Sequence, residues 1–143
     1  PPPLLALLVL VIIYLMNFFI PRFDFWGQHL IGTLVGFEGL IIIVAAILKF
    51  KKFKTTINPF KSDESSYLIT DGVYRFTRNP MYLGLSSIQV AFGLYVGSWA
   101  SIVLVPFFIF YITKYQILFE EEDLLKLFGE DYSDYKSTVN RWI

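Results

Sequence analysis

Four apolar stretches, at residues 4–20, 28–50, 80–98 and 99–118, dominate this chain and are nearly free of charge. At about 1.5 Å of rise per residue, a helix of roughly twenty residues crosses a hydrocarbon core of about 30 Å. Such segments leave few ways to fold in water. Hydrophobic residues make up 55% of the 143 and charged residues only 17%, with mean hydropathy +0.57. A soluble domain of this length needs more polar surface than that. The expected fold is therefore all-α: a polytopic membrane helix bundle of about four transmembrane helices, followed by short cytoplasmic C-terminal helices.

Charge patterning sets the expected orientation. Lys49, Lys51, Lys52, Lys54, Lys61, Arg75 and Arg78 lie between the second and third stretches. Lys114, Lys126, Lys136 and Arg141 lie in or near the C-terminal tail, and Arg22 faces the other way. Basic residues stay on the cytoplasmic side, so the middle loop, the tail and both ends of this chain are placed there. Twelve basic and twelve acidic residues cancel. That balance lacks the basic excess of a nucleic-acid footprint. The sequence has no cysteine, hence no disulfide framework and no thiolate metal site. Pro1-Pro2-Pro3 has no basic n-region and no cleavage site follows, so no signal peptide is expected. The chain reads as one domain, 1–143, with a helical hairpin at 1–57 and a core at 58–143.

Two GxxxG patterns, Gly32 with Gly36 and Gly93 with Gly97, allow close approach of helix backbones. They serve either packing within the chain or a homodimer seam. Glu38 lies about ten residues into the second stretch. An acid at that depth is costly and points to function, or to a bond with a Tyr, Ser or Thr inside the bundle. His29 stands alone, without metal-ligand spacing, and is read as structural. No metal site is expected.

The densest chemistry lies at residues 72–84, GVYRFTRNPMYLG. Arg75 and Arg78 sit where the third stretch begins. They are either anchors for lipid phosphates or ligand groups. Asn79 precedes a proline and is pushed out of the helical region, while Pro80 suits the first helical position. The backbone at 78–82 is thereby expected to face a ligand, with Tyr74 and Tyr82 nearby. A second cluster, Glu120-Glu121-Glu122-Asp123, follows the fourth stretch. It is either a solvated face or the source of one inward carboxylate. Gln116 is placed to line a cytoplasmic cavity and Trp142 to anchor at the interface. Gly129 is placed to cap a helix, with Tyr132, Tyr135 and Val139 on one face of a further short helix.

These elements resemble the isoprenylcysteine carboxyl methyltransferase and phospholipid methyltransferase superfamily. The pattern G-x-Y-x-x-x-R-[HN]-P-x-Y-hydrophobic-G occurs at residues 72–84. After a hairpin, E-E-x-x-L-x-x-x-F-G-x-x-Y-x-x-Y occurs at Glu120, Glu121, Leu124, Phe128, Gly129, Tyr132 and Tyr135. The resemblance covers about residues 58–143. It implies an integral membrane enzyme that uses S-adenosylmethionine and moves its methyl group to a lipophilic acceptor from the bilayer. It implies cofactor contacts at Ser66, Tyr67, Leu68, Ile69, Tyr74, Asn79, Pro80, Met81, Tyr82 and Glu120. Arg78 is expected to orient an acceptor phosphate or carboxylate, and Glu121 or Tyr82 to accept a proton. Gln116 occupies the substrate position, where prenylcysteine-specific members carry arginine, and Asn79 replaces their histidine. The acceptor is thus left open between an isoprenylcysteine-like carboxylate, a phospholipid amine and another small apolar group. A non-enzymatic scaffold or transporter subunit, or a membrane reductase of related architecture, is the alternative.

Overall fold

The computed structural model describes residues 1–53 and 67–143. All regular structure among these residues is helical: α1 (Pro2–Met16), α2 (Gln28–Phe53), α3 (Pro80–Val96), α4 (Ser101–Ile112), α5 (Leu118–Phe128) and α6 (Glu130–Thr138). A 3-10 turn at Gly72–Arg75 precedes α3, and a π turn at Thr113–Ile117 joins α4 to α5 without a break. Two helices are long and apolar enough to cross a membrane, Gln28–Lys52 and Ser101–Phe128; α1 and α3 are shorter apolar helices.

The first stretch forms a shorter helix than its hydropathy predicts. Its buried residues Pro2, Ala6, Val9 and Ile13 recur at helical spacing, so one stripe packs inward. The helix ends at Met16, where the N–H groups of Asn17, Phe18 and Phe19 turn back to carbonyls three residues earlier. The Asn17 amide then donates to the Val96 carbonyl at 3.1 Å, tying this turn to the end of α3. A side chain that serves a neighbouring helix terminus competes with continuing its own helix.

Glycines decide how α2 meets α3. A Cβ on Gly39 would lie 2.8 Å from the Gly84 carbonyl oxygen, and one on Gly84 2.6 Å from that of Gly39. A Cβ on Gly32 would reach the Ala91 carbonyl at 3.0 Å. Gly32, Gly36 and Gly39 are therefore one seam inside the chain. The Gly93–Gly97 pair does something else. Gly93 makes room for the Ser101 side chain, and Gly97 (φ +66°) ends α3 left-handed against the Phe23 carbonyl.

That seam also fixes the outer face of α2. Glu38 points outward, among exposed Leu34, Phe37 and Ile41, rather than into the bundle. His29 is likewise exposed, its ring edge-on to Tyr95 at 5.0 Å. α1 runs antiparallel to α4: Ser98, just before α4, bonds Ile13 near the end of α1, at 3.1 Å. Two apolar clusters result. One joins Ala6, Val9 and Ile13 of α1 to Val105, Phe108, Ile112 and Ile117. The other joins Ala46 of α2 to Ile69, Tyr74, Tyr132 and Tyr135, and carries the polar site.

Candidate functional site

The two sequence motifs meet where α3 begins and α5 begins. Glu120 is the meeting point. The Tyr82 hydroxyl and the Gln116 amide both donate to its Oε1, each at 2.6 Å. Gln116 reaches it because it stands one turn earlier on the same continuous helix. Both bonds fall on one oxygen, and Oε2 receives no hydrogen bond from the described residues. Glu120 is half-buried.

Glu121 faces a different way, about 100° further round the helix. It is 5% exposed and grips two arginines. Arg141 donates to both its oxygens, Nε to Oε1 at 2.9 Å and Nη2 to Oε2 at 2.8 Å, the paired geometry that makes such bonds strong. Arg78 Nη2 lies 3.2 Å from Oε1, and Lys136 Nζ stands 4.0 Å from Oε2. The four acids of the sequence cluster thus divide. Glu120 and Glu121 turn inward, while Glu122 and Asp123 pair with exposed Lys126. Arg78 is itself buried, bonds the Tyr132 hydroxyl at 3.5 Å, and keeps an Nε–H with no acceptor. Burial pushes the Tyr132 hydroxyl up to about 12, with the Glu121 charge acting the same way.

Residues 140–142 strap these parts together. The Asn140 carbonyl accepts from the Arg78 N–H at 3.0 Å. The Arg141 carbonyl accepts from the Asn79 amide at 3.0 Å and the Thr77 hydroxyl at 3.2 Å. The Trp142 indole donates to the Thr113 hydroxyl at 3.2 Å, on the first residue of the π turn. Trp142 is half-buried against the α1–α4 cluster, which corrects its expected role as an interfacial anchor. Tyr135 donates to the Tyr74 carbonyl at 2.7 Å, and burial pushes both hydroxyls well above the ordinary tyrosine range.

The backbone around Asn79 also differs from expectation. The N–H groups of Arg78 and Asn79 are consumed within the chain, by Asn140 and by the Thr77 hydroxyl. Only Met81 and Tyr82 keep first-turn N–H groups ahead of the first intrahelical donor, Leu83. Pro80 is fully buried. Ile69 and Tyr74 are buried together, with Leu68 and Met81 packed against them, while Tyr67 is half exposed. Ser66 lies outside the described residues. Three contacts were not legible in the sequence: Arg141 on Glu121, Trp142 on Thr113 and Tyr135 on Tyr74. The one sequence hint was an arginine and a tryptophan side by side at the end of an otherwise exposed tail.

Long apolar helices whose polar ends converge on a carboxylate define a helical membrane protein with a ligand site beside the apolar region. Comparison with known proteins makes this specific. The model of the phospholipid methyltransferase family matches residues 27–131, and the chain belongs to that family. It is 28% identical over 79 residues to protein-S-isoprenylcysteine O-methyltransferase of Schizosaccharomyces pombe, covering 55% of this chain and 34% of that protein. It is 28% identical over 114 residues to protein-S-isoprenylcysteine O-methyltransferase A of Arabidopsis thaliana, covering 80% of this chain and 58% of that one. An uncharacterized protein of Haemophilus influenzae is 40% identical over 63 residues, 44% of this chain and all of its own length. The chain therefore spans about a third of the yeast relative and somewhat over half of the plant one.

Proposed function

We propose that this chain transfers a methyl group from S-adenosylmethionine to a lipophilic acceptor at the cytoplasmic face of a membrane. In this reading it crosses the membrane four times, with both ends of the chain on the cytoplasmic side, and residues 1–143 act as one unit. The observation that carries the proposal is Glu120, a carboxylate fixed through one oxygen by both motifs and open at the other.

The donor set suits the cofactor. A carboxylate oxygen without a protein donor takes a hydroxyl or an ammonium. The Met81 and Tyr82 N–H groups take a carboxylate, and Ile69, Leu68 and Met81 offer apolar contact. When bound, S-adenosylmethionine supplies a methyl group on a sulfonium, open to in-line displacement. The protein's part is to position and to exclude water. Tyr82 and Gln116 hold Glu120 in one rotamer. Asn79 and Pro80 set the start of α3, fastened to Arg141. Arg78, with a buried Nε–H to spare, is the group to orient an acceptor phosphate or carboxylate. Both Glu121 oxygens are held by guanidinium groups, so Glu121 positions Arg78 instead of acting as a base. For an amine acceptor, Tyr82 takes the proton while passing its own to Glu120 across 2.6 Å.

The test is thermal unfolding in detergent with S-adenosylhomocysteine. A true site stabilises the folded chain by RT ln(1 + [L]/Kd), about 2.7 kcal/mol at a hundredfold excess over Kd. Glu120→Ala is expected to lose this stabilisation while unfolding near the wild-type temperature without ligand. Full stabilisation of the variant would overturn the assignment of Glu120.

A further inference from the structure

An open apolar groove of about 660 Å³ lies between α1 and the helix that runs from α4 into the π turn. Leu5, Leu8 and Val11 form one wall, and Tyr111, Tyr115 and Gln116 the other. Leu8 and Val11 are about half exposed, as are Tyr111 and Tyr115, so the groove opens sideways. Because α1 and α4 are antiparallel, the groove runs from Gln116 back toward the middle of both helices. From Leu4 to Val11 it follows α1 for about 10 Å.

Gln116 gives the groove its meaning. Its side chain lines the groove and also donates to Glu120 Oε1 at 2.6 Å, so the apolar trench ends at the polar site. The π turn brings this about. It adds a residue to one turn of the helix between Ile112 and Leu118, which resets the phase of α5 relative to α4. Trp142 and Thr113 hold that turn from the other side. A cofactor for methyl transfer is polar and has no use for such a trench. The methyl acceptor, in the proposed function on which this inference rests, has a polar head and an apolar body.

The geometry points to the groove between α1 and α4 as the binding site for the hydrocarbon chain of the methyl acceptor, with its polar head at Gln116 beside Glu120 and Tyr82. A single extended chain fits a trench walled by one row of residues on each helix. The neutral Gln116 at its end accepts a hydroxyl, amine or carboxyl head without demanding charge. Affinity then grows with chain length, about fourfold for each methylene that reaches the groove.

The experiment uses a spin-labelled monoacyl phosphatidylethanolamine as probe, with the full chain in bilayer nanodiscs. Wild type is expected to show a saturable, immobilised component. Leu8→Trp and Val11→Trp, which fill the trench, are expected to weaken it tenfold or more. Leu40→Trp, on the outer face of α2, is expected to leave it unchanged. Lipids that take label from methyl-labelled S-adenosylmethionine are expected to displace the probe. Absence of the component in wild type, its persistence in both groove variants, or failure of methylated lipids to displace it would overturn the proposal. Stabilisation by S-adenosylhomocysteine is read in parallel. Its retention in the groove variants shows that they fold. Its absence from wild type would sink the methyltransferase reading while the binding result still judged the groove.

Discussion

Glu121→Ala is the most informative perturbation of the fold. The carboxylate is 5% exposed and meets Arg141 at 2.8 and 2.9 Å and Arg78 at 3.2 Å. Removing it strands Arg78, whose side chain is 7% exposed, without its counter-charge. Breaking a buried pair from one side costs about 3–5 kcal/mol, since the remaining charge stays desolvated. Arg141→Ala is milder. Arg141 is 31% exposed and its loss leaves Glu121 paired with Arg78, so about 1.5–3 kcal/mol is expected for the lost charge-assisted bonds. Lys136→Ala, a half-exposed partner at 4.0 Å, is expected to cost about 0.5 kcal/mol or less. Unfolding titrations in mixed micelles measure all three. A Glu121→Ala cost within about 1 kcal/mol of wild type, or equal to that of Lys136→Ala, would refute the reasoning, because it would mean the cluster is solvated. A cycle with Arg78→Ala adds a check, with strong coupling expected between the two positions.

Gly84→Ala is expected to destabilise by about 1–3 kcal/mol, because its Cβ would sit 2.5 Å from Ile43 and 2.6 Å from the Gly39 carbonyl. Gly36→Ala meets only Ala91 at 3.4 Å and is expected to be nearly silent in the same unfolding assay. Tyr135→Phe strands the Tyr74 carbonyl and is expected to cost about 1–3 kcal/mol, seen as a lower unfolding midpoint. Burial holds Tyr132 protonated in the folded state up to about 12, above its ordinary value of 10.0. Its contribution is therefore constant below pH 10 and is lost as pH climbs toward 12. Tyr132→Phe is expected to flatten that alkaline decline in a pH series of unfolding midpoints.

The helices were legible because hydropathy acts locally. Runs of apolar residues bounded by Pro80 and Gly97 gave α3 nearly to the residue, and Gly129 separates α5 from α6 as its position suggests. Length was less legible at α1, where Asn17 spends its side chain on Val96. Membership in a methyltransferase family was also visible, since the two motifs stand in the chain as fixed spacings.

The sequence by itself determined that this chain is helical, that its apolar segments want a membrane, and that Glu120, Glu121, Arg78 and Tyr82 belong to one polar region. Those properties follow from side-chain chemistry and spacing alone. Only the tertiary structure decided how that region divides. One residue of rotation separates Glu120, tied to Tyr82 and Gln116, from Glu121, tied to Arg78 and Arg141. The same packing turned Glu38 outward and spent the backbone of Arg78 and Asn79 on Asn140 and Thr77. Such choices depend on which face of each helix meets its neighbour. Contacts across sixty residues of sequence set that, and no local pattern encodes them.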